Sequence, residues 1–239
     1  MDEHAGHGHD HGDGHGHLDP LTHVARPDHP DAVALARGEI GRAVRDIGHA
    51  VVGHAAPLEL LERATARLDA LVAELEGHPV RHRADERPEG DWDPPPDDGA
   101  AMESYDERPI SGRASPWGLD LDVRREGDEA VARVTLRPAH EGAPGRSHGG
   151  IVAALFDDVF GFVLSLRSQP GFTGEISVRY VAGTPIGVPL ECRVRATGQE
   201  RRKLYMSGEL TDARDGSVVA TSTATFITID PARFGAAKG

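Results

Sequence analysis

His148-Gly-Gly-Ile-Val-Ala-Ala-Leu-Phe-Asp157-Asp-Val-Phe-Gly-Phe-Val-Leu-Ser-Leu166 is the stretch on which the reading of this sequence turns. From Ile151 to Leu166 apolar residues fall on every side of a helical wheel, which predicts a helix buried over most of its circumference. The run is too short for a bilayer span, which needs roughly 20 apolar residues, and two Asp interrupt it. Burying Asp157 or Asp158 is costly unless the carboxylate is paired or has a task. The helical neighbours of Asp157 are Ala153, Ala154, Phe160, Gly161 and Leu164, with no base among them. A carboxylate facing a wet seam, or capping a neighbouring strand, is the plain alternative. Gly149 and Gly150 open the helix, where the first N–H groups lack internal partners and carry the positive end of the dipole. Without a Cβ at either position a ligand oxygen can come close, as an oxyanion hole requires. A tight loop-to-helix turn would use the same glycines. His148 either caps the helix or touches a ligand.

Outward from the helix the pattern alternates. Leu119, Leu121 and Val123, then Ala130, Ala132, Val134 and Leu136, interleave with charged residues, and Gly127-Asp128 marks a turn. Four more alternating segments follow: Ile176–Tyr180, Leu190–Ala196, Leu204–Leu210 and Val218–Phe226. Each has one apolar and one polar face, the mark of an antiparallel sheet covered on one side. Six such strands wrapped round one apolar helix predict an α+β hotdog fold over residues 110–239.

The N-terminal half reads differently. Residues 1–30 are His-, Gly- and Asp-rich, which predicts a disordered tail. His7, His9, His11, His15 and His17 would bind nickel, zinc or copper adventitiously, and no metal or other cofactor is required. Residues 31–77 predict a helical hairpin, with Val33, Ile40, Val44, Ile47 and Val51 on one helix and Leu58, Leu61, Leu68, Val72 and Leu75 on the next. That apolar seam must pack on something, as a structural appendage or dimer element. Residues 78–109 carry most of the seven prolines between 78 and 116 and a strong acidic excess, so they read as a linker. Met102, Tyr105 and Ile110 equip its end to lie down on the next domain.

The segment Glu141-Gly-Ala-Pro-Gly-Arg-Ser-His-Gly-Gly150, continuing to Asp157, resembles the HGG motif of the PaaI-like hotdog acyl-CoA thioesterases, in which an Asp lies nine positions after the motif His. Thr173 matches the Ser or Thr of the following strand. The resemblance covers about residues 110–229 and implies roles for each residue. Gly150, helped by Gly149, would polarise the thioester carbonyl. Asp157 would attack it or activate a water that Thr173 orients, and His148 would help hold the thioester. Pantetheine and nucleotide contacts would come from Tyr180 and Thr184 and from Arg201, Arg202 and Lys203, basic side chains suited to phosphate. Gly142 stands where some relatives carry Asn, with Glu141 beside it as a stand-in. A non-catalytic hotdog that binds acyl thioesters as a sensor is the alternative. A hotdog dehydratase would need a catalytic His in the tunnel, for which His148 is badly placed.

Bulk composition bounds the partners. Net charge is −13, with 26 Lys and Arg against 39 Asp and Glu, which argues against nucleic acid or an anionic membrane surface. One cysteine, Cys192, rules out an intrachain disulfide and fits a reducing compartment. No basic, then apolar, leader opens the sequence, so a soluble cytoplasmic protein is expected. Acyl-CoA is the expected partner, together with a second copy. His148 and Asp157 lie roughly 13 Å apart along one helix, so the site should be shared in a homo-oligomer, a dimer or dimer of dimers.

Overall fold

A computed structural model describes residues 32–81 and 94–229. The tail reading falls on residues outside this range. Two helices come first, α1 (Ala32–Gly53) and α2 (Leu58–Glu76). Eight strands follow: β1 (Asp122–Glu126), β2 (Glu129–Thr135), β3 (Glu141–Ala143), β4 (Arg146–Ser147), β5 (Gly171–Tyr180), β6 (Pro189–Glu200), β7 (Lys203–Asp212) and β8 (Val218–Thr228). Between β4 and β5 runs α3 (Gly149–Leu166). Six strands form one antiparallel sheet in the order β1-β2-β6-β7-β8-β5, and β3–β4 form a separate two-stranded hairpin. The expected hotdog architecture is present.

The sheet curls round α3 because each strand turns one set of side chains toward it. Leu190, Cys192 and Val194 of β6 pair in register with Val134, Ala132 and Ala130 of β2. Leu204 and Met206 of β7 pair with Phe226 and Ala224 of β8. Against them α3 buries Val152, Leu155, Phe156, Val159 and Phe160. Phe160 lies 6.2 Å from Phe156 and 6.3 Å from Phe226, ring centre to ring centre. Truncating either helix phenylalanine would cost about 3–5 kcal/mol. These two rings belong to the core. α3 is also the one helix among the described residues long and apolar enough to cross a membrane, and it is spent as the centre of this core.

Two expectations change in detail. The first strand begins at Asp122 rather than at Leu119, where the alternation starts, because Asp120 adopts φ 53° and breaks the extended run. Nor is α3 buried all round, since Gly150 and Asp157 are exposed and Ala153 and Ala154 half-exposed. The segment from Pro94 to Leu121 lies on the sheet domain. Met102 donates its N–H to Val123 O at 2.8 Å and Ala101 bridges Arg124, with Met102 and Leu119 entering the core.

α1 docks through polar contacts. Arg45 bonds Asp120 Oδ1 at 2.7 Å and Ser115 O at 2.6 Å, and Asp46 pairs with Arg137 at 2.7 Å. His49 Nδ1 accepts the Ala139 N–H at 3.1 Å and meets the His140 ring edge-on. His140 closes a short 3-10 turn at Pro138–His140 and is held neutral by burial, which pulls its pKa down to about 4. α2 buries nothing.

Candidate active site

The two adjacent carboxylates of α3 part company. Asp158 is buried and Asp157 exposed, the reverse of what an all-round apolar helix suggests for Asp157. One residue along a helix is a 100° turn, enough to move from the covered face to the open one. Arg108, from the segment that the sequence alone marks as a linker, reaches over α3 to Asp158. Its Nε bonds Oδ1 at 2.7 Å and its Nη2 bonds the Asp158 carbonyl at 2.6 Å, with the guanidinium 4.9 Å from the Phe162 ring centre. Gly161 leaves room for it, because a Cβ there would collide with the guanidinium. Burial pushes the Asp158 carboxyl above its ordinary range, while Arg108 and Ser111 pull it down. The sequence signal for this clamp was an arginine in an otherwise acidic run.

Asp157 takes a hydrogen bond from the Thr173 hydroxyl, Oγ1 to Oδ1, at 2.7 Å. The contact depends on a bulge. The β5–β8 register slips between Thr173 and Glu175, so that Thr173 pairs with the core residue Phe226 while Ile176 pairs with Ala224. Side chains alternate faces along a strand, and one extra residue reverses the alternation. Gly174 is that residue. Were Gly174 an ordinary ladder residue rather than an extra one, Thr173 would point outward with Ser177 and Arg179, away from α3. The sequence showed the glycine but not its consequence.

At the other end of the open face, His148 caps α3. Its Nδ1 accepts the Gly150 N–H at 3.0 Å, so in the single chain the N–H proposed for an oxyanion hole is already bonded. Tyr180 donates its hydroxyl to Gly149 O at 2.7 Å and lies over that glycine. Gly142 approaches the cap so closely that a Cβ there would lie 2.8 Å from His148 Cα. An Asn cannot occupy this position without displacing the cap. Glu141 accepts the Gly145 N–H and thereby closes the β3–β4 turn, a local task.

The remaining sequence-derived residues scatter. Thr184 is buried, its carbonyl accepting the Ser147 N–H at 2.8 Å. The Arg201–Lys203 tip sits at the far end of α3, for Arg202 O accepts the Thr228 N–H, Thr228 pairs with Gly171, and Arg167 bonds Gln199 at 3.2 Å. Eighteen residues of α3 separate that end from His148, roughly 27 Å. One chain therefore does not bring the basic tip to the Gly149-Gly150 turn. A cavity of about 580 Å³ lies on the outer sheet face beside Arg179 and Arg193, and one of about 270 Å³ lies beside Met102 and Phe162. Neither is lined by His148, Gly150 or Asp157. Among the described residues no cluster of three or more His, Cys, Asp or Glu is placed to hold a metal ion.

Comparison with known proteins bears on the fold and the family. The family model described as the thioesterase superfamily matches residues 145–219, from the β3–β4 turn into β8. Acyl-coenzyme A thioesterase THEM5 of Mus musculus is 31% identical over 90 residues, 38% of this chain and 36% of that protein. The Homo sapiens THEM5 is 31% identical over 87 residues, 36% of this chain and 35% of its own length. The chain thus spans little more than a third of the length of these relatives. A crystal structure of a thioesterase superfamily protein superposes with a TM-score of 0.66 at 24% identity, covering 80% of this chain and 94% of the other. That coverage is more than residues 94–229 supply, so the shared fold takes in part of the helical arm as well. The resemblance read from His148-Gly-Gly and Asp157 is borne out: residues 145–219 match the thioesterase superfamily, and the sheet domain that contains them has the hotdog fold.

Proposed function

We propose that the chain hydrolyses an acyl-CoA thioester to the free acid and CoA. The observation that carries this reading is the Thr173–Asp157 hydrogen bond on the open face of α3, at the unpaired edge of the sheet. The superfamily match and the names of the mammalian relatives support the reaction class. Thr173 holds Oδ1, which leaves Oδ2 of Asp157 to attack the thioester carbon or to take a proton from a water that attacks it. The C–S bond then breaks and the thiolate of CoA leaves, taking up a proton; if Asp157 itself attacked, water hydrolyses the resulting anhydride, releasing the acid and restoring the carboxylate. An oxyanion needs preorganised N–H donors. Those donors are Gly150, once the substrate carbonyl displaces the His148 ring, and Gly149. Tyr180, Thr184, Arg201, Arg202 and Lys203 are the proposed contacts to pantetheine and nucleotide. The compartment we propose is the reducing cytoplasm, in keeping with the unpaired Cys192.

The site so proposed is shared between two copies. Gly150 and Asp157 of one chain are roughly 10 Å apart along α3, whereas an attacking atom must lie within about 3–3.5 Å of the carbonyl carbon. β5 is an edge strand whose outer backbone groups are open, and it carries Thr173. Antiparallel pairing of β5 with a second β5 would set Asp157 of one chain beside Gly150 of the other. It would also carry the basic β6–β7 tip of one chain toward the α3 N-terminus of its partner.

Hydrolysis of short, medium, long and aromatic acyl-CoAs, followed by release of free thiol, tests the activity. Binding of acyl-CoA without thiol release from any of them would instead establish a sensor. Mixing an Asp157→Ala chain with a Gly150→Pro chain tests the sharing: mixed dimers should regain one working site in two. No recovery in verified mixed dimers would overturn the shared site.

A further inference from the structure

α1 and α2 hold twelve of the seventeen exposed large apolar side chains among the described residues, from Val33 to Leu75. At on the order of 70 Å² of open apolar surface each, the area that ordinary burial energies imply, they present roughly 800 Å². That is the contribution of one partner to a standard interface. The pattern within this surface is ordered. On α2 the positions Leu58, Leu61, Thr65, Leu68, Val72 and Leu75 are spaced alternately by three and four, a seam running the length of the helix. On α1 the positions Val33, Arg37, Ile40, Val44, Ile47 and Val51 repeat the same spacing. Such seams pack knobs into holes against another helix. An isolated 19-residue helix that buries nothing is marginal in water.

We propose that each α1 seam receives the α2 seam of a second copy of this chain, so that the two arms exchange their second helices and close a four-helix bundle. Within one chain the seams remain open, Leu58 being 65% exposed and Val72 51%, because α1 is committed to the sheet domain through Arg45 and His49. Set antiparallel, the two seams match in register: Ile40 falls opposite Leu68, Ile47 opposite Leu61 and Val51 opposite Leu58. Charge selects the same pairing. Glu62, Asp69 and Glu76 line one flank of the α2 seam and would repel a second α2. The α1 seam is flanked only by Ala and Gly, and its Arg37 falls opposite Val72, within reach of Asp69 and Glu76. His54–Pro57, four residues long, is the hinge at which the helices exchange. This assembly does not rest on the proposed hydrolysis or on pairing at β5.

The test is the full chain carrying Ile40→Cys and Leu68→Cys together, oxidised at low concentration. Cys192 is fully buried and supplies no competing thiol. A covalent dimer on a non-reducing gel is the expected result. Closure of both thiols within one chain, or their persistence as free thiols, would overturn the exchange. Amide hydrogen exchange in residues 58–76 of the unmodified chain gives a second measurement. Exchange there should slow about tenfold or more as chain concentration rises through the dimerisation range. Protection that is independent of concentration would mean that the chain covers its own seam, and would likewise overturn the proposal.

Discussion

The covered and the open faces of α3 differ by one residue of helix and by everything that follows from it. On the covered face Asp158 is sealed under Arg108, with Phe162 beneath the guanidinium and Gly161 leaving it space. On the open face Asp157 has a single hydroxyl donor in Thr173 and otherwise looks out of the chain. The same residue type is structural in one setting and chemically available in the other. Burial and pairing divide the roles.

Substitutions break this comparison in opposite senses. Asp157→Asn should lower kcat by about 10³-fold or more, within the range lost when a base or nucleophile is removed, and leave the melting temperature near that of the parent. Steady-state hydrolysis beside a thermal melt checks both halves, and parental turnover would remove Asp157 from the mechanism. Asp158→Ala or Arg108→Ala should do the converse, costing about 3–5 kcal/mol by stranding a buried charge. Urea unfolding reads this directly, and a loss below about 1 kcal/mol would show that the pair behaves as an exposed one. Gly174→Val, whose Cβ would press to 3.1 Å from Thr225 O and from the Ile227 side chain, should disturb the bulge and lower kcat by about 10–10²-fold, like Thr173→Ala. If only Thr173→Ala is impaired, the bulge does not aim the hydroxyl.

Two weaker effects sharpen the comparison. His140 has its pKa depressed from 6.5 to about 4, and that of His49 is lowered too, both chiefly by burial. A depressed histidine contributes stability that is complete above its unfolded pKa and is lost as pH falls through the folded value. The docking of α1 should therefore loosen between about pH 6.5 and 4, measurable as rising hydrogen exchange across residues 32–53. Replacing His49 and His140 with Gln should flatten that dependence. Smallest is His148→Ala, which removes a helix cap worth about 1 kcal/mol. If His148 also holds substrate, KM rises; if it only caps and occupies the Gly150 N–H, kcat/KM is unchanged or improved.

The sequence by itself determined the strands, the central helix and the motif. Alternation with period two and an apolar run with no polar face each admit few folded solutions, because apolar surface must leave water. Residue type and helical position also singled out Asp157 and the Gly149-Gly150 turn, which are local information, while Thr173 came only through the resemblance of the motif. Only the tertiary structure decided which of two neighbouring aspartates is sealed, since Arg108 lies fifty residues before Asp158. Only the register across β5 and β8 showed that Gly174 turns Thr173 inward, because a bulge is defined by the partner strand. The apolar seams of α1 and α2 were plain in the sequence. That they remain open while α1 docks by Arg45 and His49 became visible only in three dimensions, because periodicity reports which face is apolar and not what is available to cover it.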